Sequence, residues 1–95
     1  MGSKVLIRVR RTPPKALGPL LRDARQRAGL TQGQTSRDAG IPQPYLSRLE
    51  AGQRVPSMAV AERLADVLRL TLPECRTLYA AAVSDAGRSH PARAH

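Results

Sequence analysis

The sequence predicts an all-α fold, a compact bundle of five helices, on three observations. Aromatic residues make up 2% of the chain, Tyr45 and Tyr79, with no Trp or Phe. The core must therefore be built from Leu, Ile, Val and Ala, a composition that favours packed helices over sandwiches or barrels. Apolar residues recur three and four apart along most of the chain, the spacing of one helix face. Capping pairs and glycines punctuate these stretches at helical lengths. The 95 residues suit one small domain. Residues 1–15 read as a flexible arm, 16–83 as the folded domain and 84–95 as a disordered tail.

The arm carries Lys4, Arg8, Arg10, Arg11 and Lys15 and no acid. Val5, Ile7 and Val9 alternate as in a strand, but a lone strand has nothing to pair with. The first helix is expected from about Leu17 to Ala28, with Pro19 in its first turn. Leu17, Leu20, Leu21, Ala24 and Ala28 make its apolar stripe, and Gly29 stops it. The second opens at Thr31, where Thr31 and Gln34 form a capping-box pattern, and runs to about Ala39. Gly40 ends it, and a third helix spans residues 43–51 with Leu46 and Leu49 on its inner side. Two short helices joined by about three residues are typical of a helix-turn-helix, here at roughly residues 31–51. Ser57 caps a fourth helix that runs to about Leu70, burying Val60, Ala61, Leu64, Val67 and Leu68. Thr71 and Glu74 form a second capping box, opening a fifth helix from about Leu72 to Val83. Its apolar face is Cys75, Leu78, Tyr79 and Ala82.

Charge narrows the function. Sixteen basic residues stand against seven acidic, a net charge of +9, and fourteen of the cations are Arg. Such an excess on a short chain points to a polyanion, and Arg forks suit phosphate and guanine edges. Cys75 is the only cysteine, so no internal disulfide forms. No apolar run spans a bilayer. Arg8, Arg10 and Arg11 interrupt any secretory signal. The expected location is cytoplasmic, at the nucleoid. No catalytic set is visible, so the chain does not read as an enzyme. His90 and His95 stand in the tail without nearby ligands, so neither a metal nor a cofactor is expected.

The informative stretch is Gly29-Leu30-Thr31-Gln32, Ala39-Gly40-Ile41, Tyr45-Leu46-Ser47-Arg48-Leu49-Glu50-Ala51-Gly52 and Pro56-Ser57. It resembles the lambda-repressor/Cro-like (XRE) helix-turn-helix family over about residues 17–83. The resemblance implies a five-helix bundle whose third helix lies in the major groove of double-stranded DNA, in a transcriptional regulator that is usually dimeric. Read physically, Gly40 supplies the positive φ that a tight turn needs. Ile41, Leu46 and Leu49 pack inward, leaving Gln43, Pro44, Ser47 and Arg48 outward to read bases. Gln pairs with adenine and Arg with guanine, whereas Pro44 offers no donor and suits a thymine methyl. The resemblance further implies phosphate contacts from Gln32, Arg25, Tyr45, Gln53 and Arg54, and a structural pair between Arg25 and Glu50. Thr35 and Ser36 stand where the family more often has a leucine-like residue and Ala. In the arm, Arg8, Arg10 and Arg11 follow the backbone or enter the minor groove.

One alternative reading keeps the same bundle but makes it a protein-interaction module, or the antitoxin of a toxin–antitoxin pair. The cationic face with Gln43 and Arg48 favours DNA over it. A two-fold homodimer is the default for a module that reads few base pairs. Leu72, Leu78, Tyr79 and Val83 of the fifth helix are its expected interface.

Overall fold

The protein is described by a computed structural model covering residues 13–84. The expectations for the arm residues Arg8, Arg10 and Arg11, and for the tail beyond Ser84, lie outside the described residues. Five helices follow one another: α1 (Leu17–Arg27), α2 (Gln32–Ala39), α3 (Gln43–Glu50), α4 (Met58–Leu68) and α5 (Leu72–Ala81). The all-α bundle expected from composition and periodicity is what the chain forms.

Local chemistry sets the boundaries. At the start of α2 the Thr31 hydroxyl accepts the Gln34 N–H, and the Gln34 side chain accepts the Thr31 N–H. The same reciprocal box joins Thr71 and Glu74 at α5. The Ser57 hydroxyl accepts the Val60 N–H and opens α4. Each satisfies helix-start donors that have no partner within the helix. Gly40 ends α2 at φ +70°, the left-handed conformation the turn requires. Arg63 of α4 reinforces that end by donating to the Ala39 carbonyl at 3.4 Å.

Two helices end two residues earlier than their patterns suggest. α4 stops at Leu68 because Arg69 adopts φ +52°, a left-handed cap built without glycine. α5 stops at Ala81, short of the expected Val83, because the chain turns extended at Ala82. Val83 then pairs in parallel with Ser57: its N–H donates to the Pro56 carbonyl and its carbonyl accepts the Met58 N–H. Those bonds replace the helical ones that continuation would have made.

The core is aliphatic. Leu17, Leu21, Leu46, Leu49, Leu64 and Leu78 are fully buried, with alanines from α1, α2, α4 and α5 filling between them. α1 packs on α3 and α5, α2 on α3 and α4, and α4 on α5, so α3 is held between α1 and α2. Tyr45 and Tyr79 pack on the edge of this core. Leu78, expected in the dimer face, is instead fully buried in the core, while Tyr79 and Val83 are half-buried. Of that face's four residues only Leu72 stands well out, at 74% exposure, because α5 turns its apolar side to the bundle.

Candidate nucleic-acid interface

α3 faces two ways. Leu46 and Leu49 point into the core, while Gln43, Pro44, Ser47 and Arg48 are all exposed. This follows from residues three apart sharing a face. Pro42 precedes the helix in an extended conformation, and Pro44 sits in the first turn, where a missing N–H is not needed. Gln32, Gln43, Pro44 and Ser47 together line a shallow groove of about 390 Å³ between the starts of α2 and α3. A methyl group in place of the Gly33 hydrogen would sit 3.7 Å from the Gln43 amide oxygen. Four residues expected at DNA from separate parts of the sequence thus share one surface. Arg48 is exposed on the same helix one turn on, outside the groove lining.

Behind α3 lies an ionic clamp. Arg25 donates from Nε to Glu50 Oε2 at 2.7 Å and from Nη2 to Oε1 at 3.1 Å, a bidentate pair. Its Nη1 donates to the Leu30 carbonyl at 2.9 Å. Gln32 adds a third donor to Glu50, Nε2 to Oε1 at 3.1 Å. The side chains of Arg25 and Glu50 are 13% and 5% exposed, so the pair is largely shielded from water. Glu50 raises the Arg25 pKa further, opposing the burial that lowers it. One carboxylate therefore ties the end of α1 and the start of α2 to the end of α3. Arg25 spends three of its five N–H donors on this inner side.

The far edge of the surface is the stretch after α3. Gln53 and Arg54 are exposed there, as their expected role at the DNA backbone requires. The Arg54 guanidinium lies over the ring of Tyr45, 4.4 Å from its centroid. The Tyr45 hydroxyl accepts the Ser57 N–H at 3.3 Å.

Three features of this surface went unread in the sequence. The first is Gly18, where any Cβ would overlap the Glu50 carbonyl. A glycine inside a helical pattern often marks such a close approach. The second is the Gln32–Glu50 bond, and the third the Tyr45–Arg54 stack. The last two join residues on different elements, which no spacing rule brings together.

The sequence profile of the helix-turn-helix domain family matches residues 16–78. The chain is 35% identical over 54 residues to an uncharacterized HTH-type transcriptional regulator of Mycobacterium tuberculosis, covering 57% of this chain and 39% of that protein. It is 34% identical over 58 residues to the ImmF control region 10 kDa protein of Bacillus phage phi105, covering 61% and 64%. The chain spans less than two thirds of each of these relatives. No solved structure matches it.

Proposed function

Because the chain belongs to the helix-turn-helix domain family, in its lambda-repressor/Cro-like form, we infer that it binds double-stranded DNA as a sequence-specific transcriptional regulator. α3 lies in the major groove. Gln43, Ser47 and Arg48 read base edges, and Pro44 packs on a thymine methyl. Gln32 and Arg25 meet phosphates on one side of the groove, and Gln53 and Arg54 on the other. Arg25 does so with the N–H groups not directed at Glu50 and Leu30. The observation that carries the reading is the two-sidedness of α3: an aliphatic inner face locked by the Arg25–Glu50 clamp, and an outer face of adjacent polar side chains without a core role.

The test starts by selecting tightly bound duplexes from a random pool, where a palindromic winner is the signature of a two-fold dimer. Arg48→Ala is then compared with the parent on the selected site and on random DNA. A fork onto guanine O6 and N7 predicts a loss of about 1–3 kcal/mol on the selected site and much less on random DNA. Circular dichroism of the variant must first match the parent. A proportional loss on both would make Arg48 a phosphate contact and leave base reading to Gln43 and Ser47. A parent that binds both DNAs equally would end the sequence-specific reading.

A further inference from the structure

We infer that Tyr45 is a positioning residue for DNA binding: its ring holds Arg54 in the conformation that meets the DNA backbone. The inference rests on the DNA-binding reading and names a device within it.

The loop between α3 and α4 is fixed at both ends and held in the middle by one side chain. At its entry the Gln53 N–H donates to the Arg48 carbonyl at 2.9 Å. At its exit Pro56 is fully buried. The Pro56 carbonyl accepts the Val83 N–H at 2.9 Å, and the Met58 N–H donates to the Val83 carbonyl at 2.8 Å. Tyr45 adds to the exit anchor, its hydroxyl accepting the Ser57 N–H, and between the anchors the Arg54 guanidinium rests on the Tyr45 ring. Tyr45 itself is fixed in the first turn of α3, half-buried against the core.

The geometry suits a phosphate contact made by Arg54 and prepared by Tyr45. A guanidinium stacked on a ring engages through its face, and its N–H donors lie in the plane at the edge. A guanidinium held in that way keeps its edge for the in-plane oxygens that a phosphate presents. An unheld Arg loses much rotamer freedom on binding, and a stacked one has lost part of it beforehand. Tyr45 therefore acts through Arg54, in place of the direct phosphate contact expected of it from the sequence.

The experiment is a double-mutant cycle in DNA affinity on the full chain, with the selected duplex and a random duplex as probes. Tyr45→Leu removes the ring; Tyr45→Phe keeps it and removes only the hydroxyl; Arg54→Ala removes the cation. Tyr45→Leu is expected to weaken both duplexes about three- to tenfold, as a backbone contact does. It should also lower the salt slope by up to about 0.9. Tyr45→Phe should keep most of the affinity. In the Arg54→Ala background, Tyr45→Leu should have no further effect. Any general loss of stability from Tyr45→Leu carries into both backgrounds, so it cannot imitate that coupling. An equal loss from Tyr45→Leu with and without Arg54 would overturn the proposal and make Tyr45 an independent contact. A loss from Tyr45→Phe as large as from Tyr45→Leu would overturn it too. If Arg54→Ala leaves binding intact while Arg48→Ala does not, this inference falls and the DNA-binding reading stands. If the parent binds no DNA, that reading falls first.

Discussion

The hydroxyl of Thr35 is fully buried and has no hydrogen-bond partner among the described residues. A buried hydroxyl left unpaired loses its water without compensation, a penalty of about 1–3 kcal/mol. Thr35→Val keeps the branched shape and replaces the hydroxyl by a methyl group. The expected result is a gain of about 1 kcal/mol, read as a higher denaturant midpoint at unchanged slope. A lower midpoint would mean that the hydroxyl finds a partner in solution. Its neighbour Ser36 shows the contrast, since its hydroxyl donates to the Gly33 carbonyl at 3.0 Å. A second residue-scale effect is ionic. Arg27 binds Glu74 through both carboxylate oxygens at 3.0 and 2.8 Å. The Arg27 guanidinium, with the Thr71 backbone N–H, holds the Glu74 carboxyl from its usual 4.5 down to about 2. A carboxyl whose pKa is lowered by folding stabilises the fold above its unfolded value, and that contribution fades as pH falls toward its folded value. The window is therefore from about 4.5 down to about 2. Glu74→Gln should melt below the parent at pH 7, and the gap should close across that window in thermal scans. The pair is partly exposed, 51% and 21%, so the gap should also shrink with added salt. A gap independent of pH would assign the loss to the Thr71 cap rather than to charge.

At the scale of elements, α3 is placed by one glycine. Gly18 in the first turn of α1 faces the last turn of α3, and a methyl group there would overlap the Glu50 carbonyl and crowd the Gly52 N–H. Gly18→Ala gains helix propensity locally. The overlap is with backbone, however, so the two helices must move apart. Overpacking of this kind costs about 1–3 kcal/mol. The shift also falls on the residue that Arg25 and Gln32 hold, so DNA affinity should drop together with stability. Equal stability with unchanged affinity would show that the overlap is relieved cheaply. Gly18 also marks what the sequence could and could not reveal. The five helices were legible because Leu spacing, the Thr31 and Thr71 boxes and the Gly40 stop are local patterns. The outward set of α3 was legible because Leu46 and Leu49 fix its inward side. The end of α4 was not, because the left-handed cap is an Arg, for which no composition rule signals a stop. The end of α5 was not, because its competitor is a pairing with Pro56–Met58, distant in sequence. The Tyr45–Arg54 stack was hidden for the same reason: both residues are ordinary taken singly, and only the loop geometry joins them.

At the scale of the whole molecule, the charge is unevenly divided. Lys4, Arg8, Arg10 and Arg11 precede the described residues, and no acid stands among residues 1–12 to offset them. The bundle alone already presents the surface of α2, α3 and the Arg54 loop. The two contributions separate in a salt titration, because each phosphate neutralised on duplex DNA adds about 0.9 to the slope of log K against log salt. Deleting residues 1–12 removes none of the residues of the five helices or their caps, and the melting midpoint of the truncated chain is measured beside its affinity so that a loss of fold is not read as a loss of contacts. If the arm follows the DNA backbone, the slope should flatten by about 0.9 for each phosphate no longer neutralised, roughly 3.6 if all four cations engage. The fall in affinity should then be similar on selected and random duplexes, since phosphates carry no sequence. If the arm instead enters the minor groove, whose width and potential depend on sequence, the selected duplex should weaken more than the random one. Measuring both duplexes across a series of salt concentrations distinguishes the two modes of arm binding. An unchanged slope with unchanged affinity would exclude both, and would make the helix bundle the entire DNA-binding site despite the charge that precedes it.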